Sequence, residues 1–183
     1  MGAVVPKRHL LDGPIMDLSL ATAQFTILAF AGLLIMAAAS DCRNLTVPNR
    51  FSVVLLALYP SFVIASGGAI DWLGGLIYAG IVFLAGFAFF ALRWCGGADV
   101  KLFAAVTLWA GPSLFVPMLF YTAMTGGLLA VALWIRHKLM RAATPAAIFY
   151  ATSDPAFSKQ PMPYAVAIAA GGMYVALQLL MGV

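Results

Sequence analysis

The chain contains no glutamate. Its six acidic residues are all aspartate, and charged residues of both signs together make up 9% of 183 residues. That is too little charge for the surface of a soluble domain. Cysteine is scarcer still. Cys42 and Cys95 form no CxxC pair and no Cys/His cluster, which excludes zinc-site spacing and a disulfide framework. Each thiol reads as a small apolar filler. No basic stretch carries interleaved aromatics, so the net charge of +4 gives no sign of a nucleic-acid partner. It fits loop charges that set membrane topology.

What fills the chain instead is apolar. Hydrophobic residues make up 64% and the mean hydropathy is +1.02, as in a polytopic membrane protein. The length leaves room for one bundle and no second domain. Residues 1–17 form a short polar lead with Lys7, Arg8, Asp12 and Asp17. Leu18 to Ala39 is an uncharged run of 22 residues. It is longer than the apolar core of a secretory signal, about 7–15 residues, and reads as a span. Phe51 to Ile70 and Trp72 to Leu92 follow, separated by Gly67-Gly68 and Asp71. From Leu102 to Ile135 there are 34 uncharged residues, enough for two short spans broken at Gly111-Pro112. Residues 136–161 make a mixed connection before the last run, Pro163 to Val183. The predicted fold is all-α: one membrane domain over 18–183, with six spans at about 18–39, 51–70, 72–92, 100–111, 113–135 and 163–182.

Lysine and arginine test that count. With the Asp41 loop inside, Arg43, Arg50, Arg93, Lys101, Arg136, Lys138, Arg141 and Lys159 all fall on the cytoplasmic side, eight of the ten basic residues. Lys7 and Arg8 fall outside, and both termini are external. A single crossing over 102–135 would turn Arg136, Lys138 and Arg141 outward. Asp41 and Asp99 come out on one face, and nothing in the count was chosen to put them there.

These two aspartates are the candidate chemistry. Ionisable groups beside spans are costly and read as functional by default. Two carboxylates suffice to split a peptide bond with water: the ionised one takes a proton from water, and the protonated one polarises the carbonyl and later donates. Such a pair titrates as a unit. The plain structural reading of Asp99, after Gly96-Gly97, is a helix N-cap. That of Asp41 is a polar loop residue just past a helix. The shared face and the adjacent Gly96-Gly97-Ala98 turn, where backbone can approach a substrate strand, favour function. With Asp41 after a helix C-terminus and Asp99 before an N-terminus, the helix dipoles put the resting proton on Asp41 and make Asp99 the base. Lys101 reads as an interface anchor, or else as a partner of Asp99 or of a substrate carboxylate. Arg43 and Arg50 carry the same ambiguity. Pro48 is placed at the start of the second span.

Asp41-Cys42-Arg43-Asn44-Leu45-Thr46-Val47-Pro48-Asn49 resembles the first catalytic motif of the type IV prepilin peptidases: an Asp, an Arg two places on, then a hydrophobic residue, Pro and Asn. Gly96-Gly97-Ala98-Asp99-Val100-Lys101-Leu102 resembles their second, Gly-x-Gly-Asp motif, with Ala98 replacing a glycine. Pro163-Tyr164-Ala165-Val166-Ala167-Ile168-Ala169 is similar to the start of their last helix. The resemblance runs from about Leu18 to the end. It implies an intramembrane aspartic endopeptidase with Asp41 and Asp99 catalytic. It also implies Arg43, Pro48, Asn49, Gly96, Gly97, Ala98 and Lys101 as motif or substrate-binding residues, and no metal or other cofactor. The implied substrates are prepilins and pseudopilins, cut at the cytoplasmic face of the bacterial inner membrane for pilus assembly or secretion. Pilus-assembly components would be partners beside the lipid bilayer. The chain lacks the extra N-terminal domain and cysteine pairs of the larger bifunctional members. The short form of tight-adherence (Flp) pilus systems is therefore expected, without methylation of the new N-terminus.

The rival from another class is a small proton-coupled transporter, with the two aspartates as a relay and Gly111-Pro112 as a broken span. The placement of both residues at one face rather than the midplane weighs against it, as does the lack of a visible inverted repeat. A structural membrane subunit with two capping aspartates is a third reading.

Overall fold

In a bilayer each apolar segment must satisfy its own backbone, and a helix does so internally. The computed structural model describes residues 14–68, 70–143 and 162–182, with side chains for 18–68, 70–139 and 162–182. Lys7, Arg8, Asp12, Asp154 and Lys159, and the side chains of Asp17 and Arg141, lie outside the described residues, as does the connection over 144–161. The described chain forms α1 (Pro14–Asn44), α2 (Arg50–Ala65), α3 (Trp72–Ala91), α4 (Gly97–Ala143) and α5 (Tyr164–Gly182). Four of these, α1, α3, α4 and α5, are long and apolar enough to cross a membrane, and α2 is a shorter apolar helix. The protein is a multi-pass, all-α membrane protein, the fold class that its composition predicts.

Two helix ends differ from the edges of the uncharged runs. α1 continues through Asp41 and Arg43 to Asn44, because a charge ends hydrophobicity without ending the backbone ladder. α2 stops at Ala65, short of Ile70. Ser66 closes it there by donating its hydroxyl to the carbonyls of Phe62 and Val63, and Gly67 and Gly68 follow with positive φ.

At 47 residues α4 is too long for one ordinary crossing. It breaks at Gly111, with φ 59° and ψ −174°, a conformation essentially restricted to glycine. The chain reverses there. Before the break α4 runs antiparallel to α3: Phe90 lies over Gly97, Val100 against Gly86 and the Leu108 carbonyl against Gly75. It runs parallel to α5, sharing a cavity with Tyr164 at Asp99 and touching Gly172 with Val106. After the break the sense is opposite. Going up α5, Ala167 faces Gly126, Gly171 faces Met118 and Thr122, and Tyr174 stacks on Tyr121 at 4.4 Å.

Trp109 on α4 centres the core. Its ring stacks on Phe30 of α1 at 4.5 Å and Phe62 of α2 at 5.1 Å, and meets Tyr59 edge-on at 5.6 Å. Its Nε1–H donates to the Leu55 carbonyl at 3.1 Å, so the indole's one polar atom is satisfied. α3 packs chiefly on α4 and reaches this cluster where Gly75 faces the Tyr59 hydroxyl.

Candidate active site

Asp41 sits in the last turn of α1, so its reading as a loop residue past the helix is corrected. It is 5% exposed. Its carbonyl accepts the Leu45 N–H at 2.9 Å, a closure that places Leu45 in the left-handed region at φ 51°. Ser40 locks the next step by donating its hydroxyl to the Thr46 carbonyl at 3.1 Å. The side chain of Asp41 points away from this turn, toward α5. Its Oδ2 accepts the Ala165 N–H at 2.8 Å in a buried contact. The first N–H groups of a helix have no intrahelical acceptor, and Asp41 supplies one to α5. The carboxylate therefore faces a helix N-terminus, opposite in sign to the dipole that the sequence reading gave it. The dipole of the α1 C-terminus, on which the sequence reading rested, is thus opposed at Asp41 by that of the α5 N-terminus.

Asp99 lies in the first turn of α4. Gly96, not Asp99, takes the N-cap position, since Val100 N–H bonds to the Gly96 carbonyl at 3.2 Å. The Asp99 carboxyl folds back over Gly96: a Cβ at that glycine would stand 2.7 Å from Oδ2. The motif glycine is needed there for close approach. Ala98, where the motif has glycine, is half-buried against the core and has no positive φ, so a methyl is accommodated. Asp99 lines a cavity with Tyr164, whose neighbour Ala165 donates to Asp41, so both predicted carboxylates meet the first turn of α5.

The remaining motif residues divide. Arg43 is exposed in the last turn of α1. Pro48 is half-buried ahead of α2, and its carbonyl accepts the Phe51 N–H at 3.1 Å. Asn49 occupies the N-cap of α2, yet its side chain does not cap it. Its Oδ1 instead accepts from Lys101 Nζ at 3.4 Å. Lys101 thus joins the two motifs across 52 residues through Asn49. Gly97 is covered by the Phe90 ring, 3.2 Å from where a Cβ would stand.

α3 ends in a left-handed turn. Arg93 has φ 61°, with Trp94 N–H bonded to the Phe89 carbonyl and Arg93 N–H to that of Phe90, both at 2.9 Å. Leu45 and Arg93 are the non-glycine residues with positive φ among those described. Each closes the helix beside one aspartate motif, and such conformations cost on the order of 1–3 kcal/mol. The Arg93 turn directs Trp94 and Cys95 into a cavity of about 340 Å³ between α3, α4 and α5, where Asp99 supplies the acidic group. Its other walls are mostly apolar, with Phe103 and Ile168 prominent. The Cys95 thiol is pushed up by burial and then by the Asp99 charge. Cys42 is exposed. Among the described residues no three His, Cys, Asp or Glu side chains gather as a metal site would require.

Tyr164 and Ala165 entered the sequence reading only within the Pro163–Ala169 run that resembles the start of the family's last helix, with no role in the site attached to them. A backbone N–H leaves no mark on side-chain chemistry. Within that run Pro163 marks where α5 begins.

Comparison with known proteins places the chain among relatives. A prepilin leader peptidase/N-methyltransferase of Bacillus subtilis (strain 168) is 29% identical over 152 residues, covering 81% of this chain and 54% of that protein. The chain thus spans about half the length of the curated relative it matches. No solved structure matches it. Residues 28–131 match the type IV leader peptidase family, a stretch that contains both aspartate motifs and does not favour the transporter reading. The chain belongs to the type IV leader peptidase family.

Proposed function

We propose that the chain is an aspartic endopeptidase that removes the leader peptide of type IV prepilins or pseudopilins of the Flp type at the cytoplasmic face of the inner membrane. Pilus assembly or secretion is the process it serves. The observation that supports this reading is that Asp41 and Asp99 both meet the first turn of α5 at one end of the bundle, in a member of a leader peptidase family.

Asp41 is the base in this mechanism. Its Oδ2 is occupied as the acceptor of the Ala165 N–H, so Oδ1 is left to take a proton from water. Asp99, protonated, donates a hydrogen bond to the scissile carbonyl as the hydroxide adds. The tetrahedral intermediate collapses when Asp41 passes the proton it took from water to the leaving nitrogen and the C–N bond breaks, which returns both carboxyls to their starting states. Lys101 and Asn49 hold the two motif segments together, and Arg43 stands at the rim. Six crossings, with the α4 break at Gly111 as a hairpin, keep both aspartates and most of the basic residues on the cytoplasmic side.

The test is co-expression with an Flp-type prepilin, scored for the mobility shift of leader removal. Wild type should process it, while Asp41→Asn and Asp99→Asn should leave it uncut at normal membrane abundance. Cleavage retained in either variant would sink the aspartic mechanism.

A further inference from the structure

A second cavity lies at the end of the bundle opposite the aspartates. Its volume is about 440 Å³, the size of a small-ligand site. Its walls come from the early turns of α1 (Ser19, Ala23), the end of α2 (Phe62, Ser66) and the last turns of α5 (Gln178, Leu179). α2 and α5 scarcely touch, while each packs on α1. The cavity is therefore a notch between α2 and α5 with α1 as its floor. Phe62, stacked on Trp109 at 5.1 Å, closes its inner end. The notch follows from helix length. The 16 residues of α2 rise about 24 Å at 1.5 Å each, short of a hydrocarbon core of about 30 Å.

None of the residues on these walls is charged. Ser66 spends its hydroxyl proton on the Phe62 and Val63 carbonyls. Gln178 is different. It is the single carboxamide of α5 and is half-buried. Its two N–H donors and its carbonyl find no partner among the described residues. An unpaired amide beside hydrocarbon is costly. The notch therefore favours an occupant that is apolar along most of its length and accepts a hydrogen bond at one point. Ile64 and Met181, near the same ends of α2 and α5, are exposed and apolar, so the surroundings suit an occupant drawn from the membrane.

We propose that this notch holds one glycerophospholipid. An ester carbonyl of the lipid accepts from Gln178 Nε2–H, and an acyl chain lies against Ala23, Phe62 and Leu179. The uncharged walls leave the headgroup unread. A lipid there braces two helices that do not brace each other. The assignment does not depend on the peptidase reading, since no wall belongs to the Asp41 or Asp99 motif.

The experiment is native mass spectrometry of the full chain, purified in detergent and relipidated with phosphatidylethanolamine or phosphatidylglycerol of the same acyl chains. Wild type should retain one lipid per chain, to a comparable extent for the two headgroups. Ala65→Trp fills the notch from the α2 side and should lose that lipid. Gln178→Leu removes one hydrogen bond and leaves the apolar walls, so retention should weaken about three- to tenfold. Thermal unfolding supplies a second measurement. Added phosphatidylethanolamine should raise the midpoint of wild type, raise that of Gln178→Leu less, and leave that of Ala65→Trp unchanged. If Ala65→Trp does not accumulate, Gln178→Leu against wild type decides. Equal retention by wild type and the variants would overturn the site, because the lipid would then be adventitious. A strong preference for phosphatidylglycerol would also overturn it, since that requires basic side chains and the notch has none. A wild type that retains no lipid but forms a dimer lost in Ala65→Trp would overturn it in favour of a second copy of the chain.

Discussion

The N–H of Ala165 donates to Asp41 Oδ2 at 2.8 Å, a bond that spans 124 residues of sequence. One end of it is the last turn of α1 and the other is the first turn of α5. The orientation of the first catalytic candidate is therefore fixed by a helix that contributes no reactive side chain to it.

Loss of either carboxyl should remove general acid–base catalysis. Asp41→Asn and Asp99→Asn are each expected to slow prepilin cleavage by about 10²–10⁴-fold. Membrane abundance should not change for Asp99→Asn. Single-turnover assays on purified protein measure the rates, and immunoblots of membranes measure abundance.

Gly96→Ala should act through Asp99. The added methyl would stand 2.7 Å from Oδ2, so the carboxyl must rotate away. Cleavage should fall by at least tenfold with little change in melting temperature. Gly97→Ala is expected to cost less, since its methyl presses only on the Phe90 ring at 3.2 Å. The comparison of kcat/KM for the two variants checks this order.

Gly111→Ala should act on stability. The observed φ and ψ lie in a region that a β-carbon makes unfavourable by about 1–3 kcal/mol. Thermal unfolding in detergent should show a lower midpoint, and less protein should accumulate in membranes. An unchanged midpoint would mean that the break relaxes into another conformation.

Cys95 reports on Asp99. Its thiol is held up first by burial and second by the Asp99 charge. The thiolate is the reactive form, so a raised value slows alkylation at a given pH. Asp99→Asn removes the second cause and leaves the first. Iodoacetamide should therefore label Cys95 faster in Asp99→Asn than in wild type at pH 8.5, in a Cys42→Ser background, and the two rates should converge at higher pH.

The topology can be read with reporters. Fusions after Lys138 should report as cytoplasmic and fusions at Asp71 as external, following the lysine and arginine distribution. A fusion after Lys138 that reports as external would mean that α4 crosses once.

Much of this was open to inspection in the sequence, for physical reasons. The long apolar helices show because a membrane chain needs uninterrupted apolar runs, and Asp41 and Asp99 stand out as candidates because charge is so rare around them. The α4 break shows because Gly111-Pro112 suits no regular helix. Other features were hidden for equally physical reasons. The end of α1 was misplaced because Asp41 and Arg43 interrupt the apolar run while the backbone bonds continue beneath them. The Ala165 contact has no side-chain signature, and neither does the left-handed turn at Leu45, a residue type that rarely adopts it. The pairing of Lys101 with Asn49 depends on how α2 and α4 meet, which no local pattern records.

Trp109 lies ten positions along α4 from Asp99, on the side of the bundle remote from the carboxylates. It clasps α1, α2 and α4 together through Phe30, Phe62 and the Leu55 carbonyl. The ends of α1 and α4 that carry the two aspartates are thus joined to α2 at a point well removed from the carboxyls. α3 is outside that junction. It meets the bundle chiefly through α4, with Phe90 over Gly97 and Val100 against Gly86, so its packing bears on Asp99 more directly than on Asp41.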